Sequence, residues 1–319
     1  MAEPRSVLIL DDRAAWYAKA LSAACPAYRF IPAPTADAAM QHAATAQVLM
    51  GLAPFLPERL IAAMPGLEWV QALTTGVDNL LAMPALKSRI ALTNCGGFHG
   101  PQMSELAILL MLALARDFPR ILDNQAAARW QSWPQPILPG RTVCILGLGS
   151  IAEALAVRCN AFGMRVTGVS DGRAEVPGFA RVHKRDALDA AAAEADFLVV
   201  LVPYSPQTHH IVNAQVLRAM RPGAYLVNIA RGGCVDEAAL IAALKDGRVA
   251  GAALDVFATE PLPPDDPLWT APNLIVTPHI GGKSATYHEQ ALPQLIENFN
   301  AYARDGAGAL SLIPHGDRQ

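Results

Sequence analysis

The sequence predicts an α/β protein built from two parallel-sheet domains, and three observations carry that prediction. Short apolar runs alternate with helix-forming, often Ala-rich segments along most of the chain, as parallel strands joined by helices do. One such strand runs into the glycine-rich turn Gly147-Leu148-Gly149-Ser150-Ile151-Ala152 and then into a helix. The chain has 319 residues, more than one hydrophobic core usually organises.

The first half reads in order as follows. Val7-Leu8-Ile9-Leu10 is a strand ending at Asp11-Asp12, and Ala14 to Ala24 is a helix. Ala36 to Ala46 is a second helix, followed by the strand Val48-Leu49-Met50 and a short helix from Pro57 to Met64, opened by its proline. Leu67 to Ala72 is a strand that runs into Thr74-Thr75-Gly76-Val77-Asp78, and Ile90-Ala91-Leu92-Thr93 is another. No glycine-rich phosphate turn occurs in this half, which therefore reads as a separate, substrate-side domain.

Met103 to Ala115 is a long apolar helix expected to connect the domains, and Asp123 to Trp130 reads as helical. The Pro-rich stretch Trp130 to Gly140 breaks regular structure. Beyond it, Thr142 to Leu146 is a buried parallel strand, Glu153 to Arg158 a helix and Arg165 to Val169 the next strand. Later strands are Phe197–Val202, Tyr225–Ala230, Gly251–Val256 and Asn273–Thr277. Helices Gln215–Met220 and Glu237–Asp246 lie between them, the second closed by Gly247. Ser284 to Arg304 is a last helix, expected to cross back onto the first domain.

The glycine-rich turn has a physical reading. Gly147 permits a tight turn, Gly149 lacks the Cβ that would keep a pyrophosphate off the backbone, and Ala152 lets the helix pack close to the strand. The helix N-terminus then presents free N–H groups and a positive dipole end to the phosphates.

Composition narrows the classes. Net charge is −3, against nucleic acid or anionic membrane as a main partner. Cys25, Cys95, Cys144, Cys159 and Cys234 form no CxxC pair, so reduced core thiols in the cytoplasm are expected. The longest apolar run, Leu106 to Ala115, is too short to span a bilayer, and the N-terminus lacks the pattern of a signal peptide. His209-His210 is read as solvent-facing, and no metal site is expected.

In a parallel sheet, ligands lie outside the carboxyl ends of the strands. Three strand ends carry reactive groups: Arg231 before Gly232-Gly233, Glu260 after the strand holding Asp255, and His279 in Thr277-Pro278-His279-Ile280-Gly281-Gly282. An arginine binds a carboxylate bidentately and polarises a neighbouring carbonyl. A histidine protonates the carbonyl oxygen while hydride arrives, and a carboxylate against the imidazole stabilises its charged form.

These segments, together with Thr75-Gly76-Val77-Asp78, Asn94 to Glu105, Leu201-Val202-Pro203, Asn228 to Asp236 and Ala253 to Phe257, resemble the D-isomer-specific 2-hydroxyacid dehydrogenase family. The resemblance runs from about Thr74 to Asn300. It implies two Rossmann/flavodoxin-like domains with parallel sheets, the nucleotide-binding one (100–284) inserted into a discontinuous substrate-binding one (1–99 and 285–319). It implies that Arg231 binds and polarises a 2-oxoacid, that His279 is the acid/base and that Glu260 tunes it. Backbone N–H groups around Thr75 and Gly76 would hold the substrate carboxylate, and Asp255 with the Ile229 carbonyl would bind the nicotinamide carboxamide. Gly147, Leu148, Gly149, Ser150, Ile151, Val202, Pro203, Thr208, Ala230 and Gly281 complete the implied cofactor set.

The implied activity is hydride transfer between NAD(P) and a small 2-oxoacid of the glyoxylate or hydroxypyruvate type, in a cytoplasmic homodimer. The alternative is a dinucleotide-sensing, corepressor-like binding protein on the same fold. NAD-preferring members commonly carry an acidic residue where this chain has Ser170, and Asp171, Gly172 and Arg173 follow. With Asp171 on the ribose diol the expectation is a modest preference for NADH, with NADPH also used. His99, in the loop after Asn94, has two readings, a specificity role or a place on the loop surface.

Overall fold

A computed structural model describes residues 4–315. They form two compact units, one combining the chain up to Phe98 with the chain from Ala285, the other running from His99 to Ser284.

The first unit holds strands β1 (Arg5–Leu10), β2 (Tyr28–Ala33), β3 (Val48–Gly51), β4 (Trp69–Ala72) and β5 (Ala91–Thr93). They form a parallel sheet of order β2-β1-β3-β4-β5. The inner strands β3 and β4 are buried along their whole length, which is why they read as apolar runs rather than as alternations. One face is closed by the helix Tyr287–Asp305. Its Phe299 ring packs 5.1 Å from Tyr28, 5.3 Å from Phe30 and 4.9 Å from Trp69. Asn298 Nδ2 also donates to Gln71 Oε1 (2.8 Å). The loops after β4 and β5 are tied together: Asn94 Nδ2 donates to the Thr75 carbonyl (2.6 Å) and Thr75 Oγ1 to the Cys95 carbonyl (2.9 Å).

Strand β2 is absent from the sequence reading because it contains Pro32. Proline has no N–H for a ladder and argues against a central strand, but β2 lies at the sheet edge, where it is tolerated. The helix expected over Ala36–Ala46 is shorter, Ala36–Met40, with a separate 3₁₀ turn at Ala43–Thr45.

The second unit holds β6 (Thr142–Leu146), β7 (Arg165–Val169), β8 (Arg181–His183), β9 (Phe197–Val200), β10 (Tyr225–Asn228), β11 (Gly251–Leu254) and β12 (Leu274–Val276). They form a parallel sheet of order β12-β11-β10-β9-β6-β7-β8. From β6 the chain winds outward through β7 and β8, then restarts on the other side at β9 and proceeds to β12. The carboxyl ends of β6 and β9 therefore flank a topological switch point, where open α/β sheets bind ligands. β8 and the helix Leu188–Glu194 are not anticipated from sequence; a three-residue edge strand is too short to show a period.

The helix Gly100–Ala115 packs against this same sheet, its Met111 and Ala107 sharing a core with Ile145, Val227 and Ala253. The next helix is Phe118–Ala126, not Asp123–Trp130. Asp117 in the left-handed region (φ 51°) separates it from its predecessor, and Ala128 (φ 52°) ends it before Trp130. All five cysteines are buried and free, and among the described residues no helix is long and apolar enough to cross a membrane.

Candidate active site

The glycine-rich turn follows β6 at the switch point. Gly147 has φ +99°, and a Cβ there would lie 2.7 Å from the Val202 nitrogen, so only glycine fits. Gly149 differs: a Cβ built on it meets nothing within 4 Å. It precedes the helix Ser150–Ala161, whose N-terminus no side chain caps. Ala152 is fully buried beneath. Open space above Gly149 and an uncapped helix N-terminus together fit a dinucleotide pyrophosphate. Leu148 is buried, while Ser150 is exposed and Ile151 half-buried at the helix start.

Val202 and Pro203 follow β9. The Thr208 hydroxyl donates to the Pro203 carbonyl (2.7 Å) and accepts from the Ser205 N–H (2.8 Å), which shapes that loop. His209 and His210 stack at 3.9 Å, and among the described residues no group of three side chains is placed to hold a metal.

At the end of β7, the Ser170 hydroxyl accepts from the Arg173 N–H (3.2 Å). Arg173 Nη1 donates to the Leu148 carbonyl (3.1 Å) and to Glu153 Oε1 (2.5 Å). Asp171 points elsewhere: Oδ1 accepts the Arg185 N–H (3.0 Å) and Oδ2 lies 3.2 Å from Arg185 Nε. Arg185 went unnoticed in the sequence because it follows the unanticipated β8.

Neighbouring strands β10, β11 and β12 lead into the turns carrying Arg231, Glu260 and His279. After β10, the fully buried Asn228 shapes the turn, donating to the Arg231 carbonyl (2.9 Å) and accepting from the Ala230 N–H (3.1 Å). Ile229 and Ala230 are buried. A Cβ on Gly232 would lie 1.8 Å from the Phe257 carbonyl carbon. Gly232 thus lets two backbones touch.

After β11, Glu260 Oε1 accepts the Phe257 N–H (2.9 Å) and Oε2 accepts from His279 Nδ1 (2.7 Å). Burial by itself would raise the Glu260 carboxyl. Its hydrogen bonds to His279 and Phe257 and the nearby charges of His279 and Arg231 outweigh burial and hold it below the usual carboxylate range. Glu237, which sequence reasoning missed, steadies the same turn by accepting the Ala258 N–H (2.7 Å).

After β12, His279 adopts φ 49°, unusual for a residue with a side chain. Asp255, 1% exposed, fixes this turn. Oδ1 accepts from Thr277 Oγ1 (2.6 Å) and the Ile280 N–H (3.0 Å), and Oδ2 accepts the Gly281 N–H (2.9 Å). Its carbonyl accepts the His279 N–H (2.8 Å). A Cβ on Gly281 would lie 2.8 Å from Leu106 Cδ2 and 3.0 Å from Asp255 Oδ2, so any side chain there would have to displace Leu106 and crowd the Asp255 carboxylate. His99 is buried, not on a loop surface; its ring lies 3.8 Å from where a Gly282 Cβ would stand. Burial holds it below the usual histidine range. Thr75 and Gly76 belong to the first unit, in the tied loop described above.

Comparison with known proteins finds similarity over most of the chain. A family model described as D-isomer specific 2-hydroxyacid dehydrogenase, NAD binding domain, matches residues 108–281. A glyoxylate reductase of Korarchaeum cryptofilum is 35% identical over 251 residues, 76% of this chain and 75% of that protein. The crystal structure of a D-isomer specific 2-hydroxyacid dehydrogenase family protein from Aeromonas salmonicida has a TM-score of 0.89 at 35% identity, covering 98% of this chain and 99% of that one. A D-isomer specific 2-hydroxyacid dehydrogenase from Xanthobacter autotrophicus Py2, in complex with NADPH and MES, has a TM-score of 0.80 at 29% identity and covers 98% of both chains.

Gly149→Ala tests the phosphate cradle. The variant should fold with an unchanged Tm, because the added methyl meets nothing, while dinucleotide binding weakens by about tenfold or more. Fluorescence titration with NADH and NADPH checks this; undiminished binding would place the pyrophosphate elsewhere.

Proposed function

Since the chain belongs to the D-isomer specific 2-hydroxyacid dehydrogenase family and is an NAD(P)-dependent oxidoreductase, we propose that it reduces a small 2-oxoacid, of glyoxylate or hydroxypyruvate size, to the D-2-hydroxyacid. The observation that carries this reading is the 2.7 Å contact of Glu260 Oε2 with His279 Nδ1, beside a strand end bearing Arg231. With Nδ1 donating to the carboxylate, Nε2 is the ring position left to serve a substrate.

Bound nicotinamide supplies the hydride that reaches the carbonyl carbon. The remaining work falls to the chain. The Arg231 guanidinium grips the substrate carboxylate and draws electron density from the adjacent carbonyl. His279 hands its Nε2 proton to the carbonyl oxygen as negative charge develops there. Glu260, its carboxyl held below the usual carboxylate range by its hydrogen bonds to His279 and Phe257, stabilises the imidazolium before transfer and keeps the ring oriented. In the oxidation direction His279 takes the hydroxyl proton instead. The turn at Gly147–Gly149 would hold the pyrophosphate.

Turnover separates this reading from that of a dinucleotide-sensing binding protein. Oxidation of NADH and NADPH should be measured across glyoxylate, hydroxypyruvate, pyruvate and bulkier 2-oxoacids. Dinucleotide binding without turnover on any of them would favour the sensor.

His279→Ala should lower kcat by about 10²–10⁴-fold, the usual size of a lost general acid, with little change in dinucleotide affinity. Near-normal turnover would remove His279 from the chemistry.

Glu260→Gln should shift the pH profile. Reduction requires the protonated imidazole, so its rate declines as pH rises. Loss of the carboxylate destabilises that protonated form, and the declining limb of kcat/KM moves to lower pH. A limb that stays in place would mean that Glu260 does not govern the proton on His279.

A further inference from the structure

The helix Tyr287–Asp305 sends more polar groups into the first unit than closing its core requires. Ala291, Leu295, Phe299 and Tyr302 are buried and supply the apolar contact. Tyr287, Gln294 and Asn298 stand seven and then four residues apart, so they share one side of the helix. Each meets the chain within or just after β4 and β5. The Tyr287 hydroxyl donates to the Leu73 carbonyl. Gln294 Oε1 accepts the Gly96 N–H (3.1 Å), and Asn298 Nδ2 donates to Gln71 Oε1 (2.8 Å). A polar group drawn out of water costs stability unless it is partnered, and these three are partnered with the two strands and the loops that leave them.

The Gly96 contact reaches furthest toward the chemistry. Gly96 and Gly97 are adjacent glycines, and Gly97 takes φ +91°. Such a pair has wide conformational freedom unless something holds it. Next to Gly96 is Cys95, whose carbonyl accepts the Thr75 hydroxyl (2.9 Å) and whose N–H donates to the Thr74 carbonyl (3.2 Å). Asn94 Nδ2 donates to the Thr75 carbonyl (2.6 Å). A Cβ on Gly96 would lie 3.9 Å from Thr75 Oγ1, so the two loops run side by side. Gln294 therefore anchors one member of a loop pair whose other member is Thr74-Thr75-Gly76. The family resemblance assigns the substrate carboxylate to the N–H groups of that second loop.

We propose that Gln294 is a positioning residue for substrate binding: by accepting the Gly96 N–H it fixes the loop after β5, and through the Thr75–Cys95 bond it aims the N–H groups around Thr75 and Gly76 at a 2-oxoacid carboxylate. This rests on the reductase reading above and on the carboxylate being held at Thr75 and Gly76. Gln294 acts through the loop pair and not on the reacting atoms. Its loss loosens the grip on substrate, while His279 and Glu260, in the other unit, keep their own hydrogen bond.

The test compares Gln294→Met, which keeps the length and removes the oxygen, with Gln294→Glu, which keeps an acceptor. For each protein KM and kcat are measured on glyoxylate at about 0.2 M salt, where an added charge is screened. Kd is measured for NADH and NADPH, and hydrogen–deuterium exchange is followed at Thr75, Gly76 and Gly96 with and without glyoxylate. In the wild type glyoxylate should slow exchange at Thr75 and Gly76. Gln294→Met should speed exchange of the Gly96 amide about tenfold and raise the KM for glyoxylate about fivefold, the size of one lost hydrogen bond. Its kcat and dinucleotide Kd should stay within about twofold of the wild type. Gln294→Glu should keep Gly96 protected, with KM within about twofold.

An unchanged KM or unchanged Gly96 exchange in Gln294→Met would overturn the proposal. So would a KM raised equally in both variants, or a loss confined to kcat; either would leave Gln294 a packing residue. If Gln294→Met does not fold, Gln294→Ala removes the same acceptor and is read in its place. If neither folds while Gln294→Glu does, the bond serves stability and the proposal fails. Glyoxylate that leaves Thr75 and Gly76 exchange unchanged in the wild type would also overturn it. A wild type in which glyoxylate slows that exchange but no 2-oxoacid turns over would count against the reductase reading instead, and loss of the slowing in Gln294→Met alone would still uphold the role of Gln294.

Discussion

The buried carboxylate of Asp255 is the constraint on which the candidate site depends. An ionised carboxylate removed from water is costly unless donors surround it. Here the donors are Thr277 Oγ1 and the N–H groups of Ile280 and Gly281, all on the segment that carries His279. Hydrogen bonds to charged groups contribute about 1.5–3 kcal/mol each, enough to outweigh the strain of a left-handed His279. Gly281 closes the arrangement: without a side chain it lies against Leu106 and Met103 of the helix Gly100–Ala115. The turn is thus held from the strand side by Asp255 and from the helix side by packing.

The sheet does the rest. Because β10, β11 and β12 are adjacent and parallel, their carboxyl ends release Arg231, Glu260 and His279 on one edge, although 48 residues of chain separate the first from the last. Each turn is fixed by a group that is not itself chemical. Asn228 shapes the Arg231 turn, Glu237 and the Phe257 N–H hold the Glu260 turn, and Asp255 holds the His279 turn. Gly232 brings the first two together by letting its backbone touch that of Phe257.

Much of this was legible in the sequence where a local rule has one physical meaning. The glycine turn, the buried strands and the Arg, Glu and His at strand ends could be read because strand composition and strand-end position are local signals. What escaped depended on neighbours that sequence does not show. Pro32 argues against a strand, and only its edge position makes β2 permissible. β8 is too short for a period, and with it Arg185 went unseen. Asp171 was recognisable as a charge at the right place, but its orientation is set by a residue 14 positions away. Gly232 serves a close contact with the Phe257 backbone, a partner 25 positions away that its own neighbours in the sequence do not show. Asp255 was placed on the cofactor by resemblance; the bonds that make it an organiser of the His279 turn come from the Thr277 hydroxyl and the N–H groups of Ile280 and Gly281.

The most direct test of this account is Asp255→Asn, followed by single-turnover reduction of glyoxylate and by dinucleotide titration on the same preparation. An amide offers one acceptor oxygen where the carboxylate offers two, so the turn must release at least one donor. The account predicts a loss of hydride-transfer rate of about 100-fold or more with dinucleotide Kd within about threefold of the wild type. A near-normal rate combined with a Kd raised by about tenfold would contradict it, and would make Asp255 a cofactor ligand beside a His279 turn that stands without it.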